Sequence, residues 1–165
     1  MLKFIPQHDQ MDCGPACIGM VASIYNKKIS LQFLKQLTFI SKEGVSLLSI
    51  NEASKKIGFE TFTSKLSTIE LIENKNTLPS ILHWNQNHFV VLIKISKSIL
   101  RKKYFFHIAD PAHGFIKLNQ DKFEKAWLTD NNTGVSLFLS PTDEFFKFVP
   151  PNEDKLTIKY VLKYL

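Results

Sequence analysis

The fold is decided near the start of the chain by residues 7–17, which read QHDQMDCGPAC. A polar lead over residues 7–12 runs into a segment of helical composition that begins at Cys13 and extends to Tyr25. Pro15 suits a first helical turn, where its missing N–H costs nothing. Apolar side chains then recur at three- and four-residue intervals, at Cys17, Met20, Val21 and Ile24. This spacing predicts a helix with one buried face.

Cys13 is the first candidate for chemistry, because it lies between Asp12 and Gly14 where the predicted helix begins. The thiolate is the nucleophilic form of cysteine, and the unpaired N–H groups of a helix start favour it. The alternative is a small buried hydrophobic residue, which is the usual role of a free cysteine. Cys17 lies one turn further along, on the apolar face, and we predict that it belongs to the core.

Outward from this helix, the front half of the chain predicts helices and the back half predicts strands. Three more helices, each preceded by a serine that can cap it, are predicted over residues 31–37, 47–57 and 68–74. From Leu78 the apolar period changes to two. Strands are predicted over residues 80–83, 88–95, 104–109, 115–118 and 135–140, with a short helix at 121–128. The fold class is therefore α+β.

A nucleophilic cysteine needs a base and a group that orients the base. His88 opens a predicted strand just after a turn, where a polar side chain faces a cleft more readily than one inside a sheet. Asp110 ends the strand at 104–109. If this strand forms a hairpin with residues 88–95, antiparallel pairing brings His88 and Asp110 to the same edge. His83 and His107 lie within predicted strands, where a structural role is favoured.

The composition indicates a single globular domain of 165 residues, with 44% hydrophobic and 22% charged residues. No stretch approaches the roughly 20 uncharged apolar residues of a membrane-spanning helix. The first residues are too few and too polar for a signal peptide. We therefore expect a cytosolic chain in which Cys13 and Cys17 are free thiols rather than a disulfide.

The net charge of +6 does not predict a nucleic-acid partner, because Arg101 is the only arginine among 21 basic residues. The excess charge is better explained by a solvated face, which could lie near an anionic membrane. Cys13, Cys17 and a histidine could in principle bind zinc, but the C-x-x-x-C spacing is atypical and no second pair exists, so no metal is expected. No phosphate-binding loop motif is present, so no nucleotide is expected either.

Three blocks together resemble those of bacteriocin-processing peptidase domains, which form the N-termini of peptidase-containing ABC transporters. Residues 7–17 resemble the Q-x-x-x-x-D-C-G-x-A-C signature of that family. HWNQNHFVVL at residues 83–92 is similar to its histidine block, and ADPAHG at 109–114 to its aspartate block. The blocks occur in the family's order, and the resemblance extends over about residues 4–140.

The resemblance implies a papain-like cysteine peptidase fold, with a helical N-terminal half packed on an antiparallel sheet in the C-terminal half. It implies Cys13 as nucleophile, His88 as base, Asp110 as the residue that orients the base, and Gln7 as oxyanion donor. The implied substrate is a bacteriocin or peptide precursor, cut after a leader that ends in Gly-Gly or Gly-Ala. No cofactor is implied for this domain, since ATP would bind a separate ATPase domain absent from the chain.

Members of this family usually continue into transmembrane helices and an ATPase. Pro150-Pro151, followed by lysines four residues apart, predicts a peptidase domain over residues 1–149 and an amphipathic linker helix over 150–165. The resemblance further implies a homodimeric transporter, an isolated domain that is monomeric, and a place on the cytoplasmic side of the bacterial membrane. Three alternatives stay open: a terminal helix packed on its own domain, a non-catalytic module that holds leader or cargo, and another papain-like activity such as amide hydrolysis or acyl transfer.

Overall fold

The structure is a computed structural model that describes residues 1–38, 45–98, 100 and 103–151. Its helices are α1 Cys13–Ile24, α2 Leu31–Thr38, α3 Leu47–Lys56, α4 Thr68–Glu73, α5 Gln120–Trp127 and α6 Asp143–Lys147. Its strands are β1 Phe59–Leu66, β2 Ser80–Trp84, β3 His88–Lys97, β4 Tyr104–Asp110, β5 Gly114–Asn119 and β6 Gly134–Pro141. Short 3-10 turns at Gln10–Asp12 and Lys75–Thr77 precede α1 and β2.

The helix starts follow the predicted caps. The side chain of Ser30 accepts a hydrogen bond from the backbone N–H of Phe33, and Ser46 and Ser67 begin α3 and α4 with reciprocal capping boxes. Such caps satisfy N–H groups that the first helical turn leaves unpaired. Gly58 follows α3 with φ of +96°, a left-handed conformation that glycine adopts without strain. Local sequence signals therefore set the bounds of these elements.

The six strands form one antiparallel sheet in the order β1-β6-β2-β3-β4-β5. Helices α1, α2 and α3 cover one face, and α5 covers the other. The core on the first face includes Met20, Val21, Phe33, Leu34, Ile50, Phe89, Val91 and Leu137. The core on the second face includes Leu82, Val90, Phe106, Phe123 and Trp127. The α+β class predicted from the sequence is confirmed.

Two elements were not predicted. The front half was expected to be helical, but β1 pairs with β6 at one edge of the sheet. Its alternation is obscured because Phe62 is 67% exposed while the polar residues Thr61 and Ser64 are partly buried. Helix α6 has only five residues, too few to show a helical period. It nonetheless seats Phe145 fully in the core.

The C-terminal part of the chain is described as far as Pro151, which is buried. The predicted amphipathic helix over 150–165 lies almost entirely outside the described residues. Before it, Lys27 donates hydrogen bonds to the carbonyl oxygens of Phe146, at 3.1 Å, and Phe148. These bonds join the end of α1 to α6. Within the described residues, no helix is long and apolar enough to cross a membrane.

Candidate functional site

The fold brings Cys13, His88 and Asp110 together where α1 meets the sheet. Cys13 is the first residue of α1, His88 the first of β3 and Asp110 the last of β4. Strands β3 and β4 form the predicted antiparallel hairpin, with a register shift between Leu92 and Lys94. Because α1 packs on β3, the start of the helix lies beside the shared edge of the hairpin.

His88 is hydrogen-bonded on both sides. Its Nε2 lies 2.8 Å from Oδ1 of Asp110, and a side-chain hydrogen bond with Cys13 also acts on the ring. Burial alone would lower the pKa of His88, but the hydrogen bonds from Asp110 and Cys13 outweigh it and raise the pKa to about 9. The ring is therefore stabilised as an imidazolium between two acidic groups.

Asp110 is only 3% exposed, yet both oxygens of its carboxylate have hydrogen-bond partners. Oδ1 accepts from His88 and, at 2.8 Å, from the backbone N–H of Ala112; Oδ2 lies 2.9 Å from Nδ1 of His113. Burial would raise the pKa of Asp110, but these hydrogen bonds lower it to about 2. Asp110 consequently remains ionised across the working range of an enzyme.

Sequence reasoning did not give His113 a role. His113 is largely exposed, but it reaches Asp110 because the turn after β4 folds back, with the N–H of His113 donating to the carbonyl of Asp110 at 3.1 Å. The signal that could have found it is the Asp-Pro-Ala-His spacing itself. An aspartate at the start of a turn commonly accepts bonds from residues two or three positions later.

Gln7 lies on the lead before α1 and is tied to the other side of the site. Its backbone N–H donates to the carbonyl of Pro111 at 3.1 Å, so the lead is fixed to the residue that follows Asp110. The Oε1 atom of Gln7 is buried and has no hydrogen-bond partner among the described residues. The amide oxygen is therefore not engaged by another described residue.

The loop between Gln7 and Cys13 is organised by two aspartates. Asp9 accepts a hydrogen bond from the backbone N–H of Met11 at 2.8 Å. Asp12 is fully buried and its Oδ1 atom forms an ion pair with Nζ of Lys35 at 2.6 Å. No local motif indicated this pair, because Lys35 lies on α2, far from Asp12 along the chain.

The other cysteine and the other strand histidines lie where the sequence placed them. Cys17 is fully buried in the core, and burial, followed by the charges of Cys13 and Asp110, raises its pKa well above the usual value. His107, within β4, lies 2.8 Å from the hydroxyl of Ser96. His83, within β2, packs its ring against Phe89. Among the described residues, no cluster of three or more His, Cys, Asp or Glu side chains has the arrangement of a metal site.

This arrangement provides nucleophilic chemistry. A thiol is hydrogen-bonded to an imidazole, and a buried carboxylate orients the imidazole from the opposite side. That is the relation between nucleophile, base and orienting group that acyl-transfer catalysis requires. The three groups come from different parts of the fold: the thiol from the start of a helix, and the imidazole and the carboxylate from adjacent strands.

Comparison with known proteins gives one family. The chain matches the Peptidase C39 family over residues 1–144. The lactococcin-G-processing and transport ATP-binding protein LagD of Lactococcus lactis is 34% identical in an alignment of 149 residues that covers 88% of this chain and 20% of LagD. The chain thus spans about a fifth of the length of this relative.

Two solved structures are similar over most of this chain. A double glycine motif protease from an AMS/PCAT transporter, in complex with the leader peptide, aligns with a TM-score of 0.72 and 28% identity over 86% of this chain and 93% of that one. The peptidase domain of Streptococcus ComA, a bi-functional ABC transporter, aligns with a TM-score of 0.69 and 29% identity over 86% of this chain and 100% of that one. Both agree with the fold class predicted from the sequence.

Proposed function

The chain belongs to the peptidase C39 family, and from that premise we propose that it is a cysteine peptidase domain that removes double-glycine leaders from precursor peptides. The observation that carries this proposal is the hydrogen-bonded chain from Cys13 through His88 to Asp110. The similarity to a double glycine motif protease in complex with a leader peptide supports the substrate class.

In the proposed mechanism, the thiolate of Cys13 attacks the carbonyl carbon of the second glycine, and a thioester forms as the peptide C–N bond breaks. His88 supplies a proton to the leaving amine and then takes one from the water that hydrolyses the thioester. Asp110 holds the imidazole tautomer and stabilises the imidazolium. Gln7 and the backbone N–H of Cys13 donate to the oxyanion of the tetrahedral intermediates.

The relatives indicate the setting in which this reaction would take place. LagD is a processing and transport ATP-binding protein, and we propose that this domain likewise works on the cytoplasmic side of the membrane beside the transmembrane and ATPase domains of a homodimeric exporter. The proposed reaction needs no metal or cofactor in this chain, and ATP would bind the ATPase domain. The cargo would be a bacteriocin or another exported peptide.

The test is cleavage of synthetic double-glycine leader peptides, followed by mass spectrometry. The wild type should cut after the second glycine, and Cys13→Ala should show no cleavage while it still binds the leader. Cys17→Ala is the matched control, because it removes a thiol one helical turn away that lies in the core, and it should keep most of the activity. Binding without cleavage by the wild type would instead identify a leader-binding module, and no interaction with any leader would refute the proposal.

A further inference from the structure

Burial of the Asp12 carboxylate is energetically unfavourable unless the charge is compensated. Asp12 has no exposed surface, whereas the side chain of Lys35 is 33% exposed. Removing the partner of a buried charge is strongly destabilising, because the remaining charge is left without compensation. Its Oδ1 atom lies 2.6 Å from Nζ of Lys35, while Oδ2 of Asp9 lies further from the same ammonium, at 3.7 Å. Asp12 is therefore the principal acidic partner of Lys35 in this loop.

The second oxygen of Asp12 holds the backbone that leads from Gln7. Oδ2 accepts hydrogen bonds from the N–H of His8 at 3.3 Å and from the N–H of Asp9 at 3.4 Å. One carboxylate thus joins α2, through Lys35, to the two peptide groups that directly follow Gln7. The close contact with Asp12 raises the pKa of Lys35, so its ammonium stays charged at neutral and mildly alkaline pH.

The side-chain carbonyl oxygen of Gln7, Oε1, is buried without a hydrogen-bond partner among the described residues. The backbone N–H of Gln7 donates to the carbonyl oxygen of Pro111, which is one anchor of this segment. The other anchor of this segment is the pair of bonds from His8 and Asp9 to Asp12. An oxyanion donor that is misplaced by about 1 Å can lose much of its effect, so the loop backbone determines whether the Gln7 amide is in position.

We propose that Lys35 is a positioning residue of the peptidase site, which acts through the buried carboxylate of Asp12 to hold Gln7 as an oxyanion donor. This inference rests on the proposed function. The ion pairs of Lys35 join it to Asp9 and Asp12, so its effect is transmitted by the loop. It should therefore alter the rate of the chemical step rather than the affinity for the leader.

The experiment is a double-mutant cycle between Lys35→Met and Gln7→Ala, with kcat from leader cleavage and leader affinity from binding to the same variants carrying Cys13→Ala. Lys35→Met should lower kcat at least tenfold, but by no more than Gln7→Ala, whose expected loss is on the order of 10²–10³. In the Gln7→Ala background, Lys35→Met should change kcat little, because the group it positions is already absent. Leader affinity should be unchanged, and Lys35→Arg should restore most of the rate.

A matched control and a second readout separate positioning from damage to the fold. Lys55→Met breaks an exposed ion pair with Glu52 on α3 and should leave kcat unchanged. Alkylation of Cys13 by iodoacetamide forms no oxyanion, so Lys35→Met should leave its rate unchanged. If Lys35→Met does not fold, Lys35→Gln is used instead, because it keeps a donor for Asp12 without the charge. Its kcat should fall less than the kcat of Gln7→Ala. In the Gln7→Ala background, Lys35→Gln should not lower kcat further.

Three results would overturn the inference: an unchanged kcat, losses that add in the double variant, or an alkylation rate that falls as much as kcat. The last would mean that Lys35 supports the start of α1 and Cys13 rather than Gln7. Failure of the proposed function is recognised separately, since the wild type would then cleave no double-glycine leader. If the wild type cleaves and the cycle is additive, only the role of Lys35 is refuted.

Discussion

Replacement of Asp110 by asparagine tests the electrostatic design of the site most directly. The substitution keeps the shape of the side chain but removes the buried negative charge that faces His88. It also replaces one acceptor oxygen by an NH₂ group, so His88, His113 and the N–H of Ala112 can no longer all donate to this side chain. We expect His88 to lose its stabilisation as an imidazolium.

The magnitude follows from the shift in the pKa of His88. In the wild type the pKa rises from 6.5 to about 9, which corresponds to about 3 kcal/mol and to a change on the order of 10²–10³ in the ratio of charged to neutral imidazole at fixed pH. Burial is the largest influence and acts in the opposite direction. Without the carboxylate, the pKa of His88 should therefore fall well below 9, and the thiol should lose most of its imidazolium partner at neutral pH.

The same pair makes the stability of the fold depend on pH in a definite sense. Because the pKa of His88 is raised, its contribution is complete below pH 6.5 and is lost as the pH rises towards 9. Because the pKa of Asp110 is lowered from 3.8 to about 2, its contribution is complete above pH 3.8 and is lost as the pH falls towards 2. The pair thus stabilises the native state most between about pH 4 and 6.5. The two contributions share one hydrogen bond and are not additive.

NMR titration of the histidine side chains, together with thermal unfolding at several pH values, measures both effects. In Asp110→Asn the pKa of His88 should fall, and the loss of stability between pH 6.5 and 9 should flatten. His107 is an internal reference, because burial and the charges of Lys94 and Lys117 lower its pKa and these are unaffected. A wild-type His88 that titrates below pH 7, or one that is insensitive to Asp110→Asn, would refute the reasoning.

Two further predictions concern the ends of the domain. Gln7→Ala should lower kcat by on the order of 10²–10³ without weakening leader binding, as steady-state kinetics and binding to Cys13→Ala will show; an unchanged kcat would remove Gln7 from the site. A chain that ends at Pro151 should keep the cleavage rate and melting temperature of the full chain, whereas one that ends at Pro141 loses the fully buried Phe145 and should be destabilised by about 3–5 kcal/mol. A marked loss of stability on truncation at Pro151 would make residues 152–165 part of the domain.

The sequence predicted the hairpin that carries His88 and Asp110 because its signals are local. The apolar runs of β3 and β4 and the polar residues at their ends indicate both the strands and the edge at which those residues meet. The edge strand β1 was missed for the converse reason. Its face is mostly half-buried or exposed, and its pairing with β6, distant in sequence, is what makes it a strand.

The same distinction applies to the site. Cys13, His88, Asp110 and Gln7 are recognisable because each lies in a short motif. Lys35 has no motif, and it joins the site only because the packing of α2 against α1 brings its ammonium to Asp12. A partner that is brought in by tertiary packing cannot be predicted from the local sequence, even when it contacts a residue of a recognised motif, as Lys35 contacts Asp12.

The structure also gives a physical reason for each residue of the Asp-Cys-Gly sequence at the start of α1. Asp12 anchors the preceding loop by its ion pair with Lys35, and Cys13 faces the imidazole of His88. Gly14 lets α3 approach, because a Cβ atom there would lie 2.7 Å from Cδ1 of Ile50, which is itself fully buried. A larger residue would therefore require the buried side chain of Ile50 to shift at the position of the thiol. The hydrogen bond between Cys13 and His88 spans helix and sheet, so it depends on how closely the helices pack as much as on the two side chains that form it.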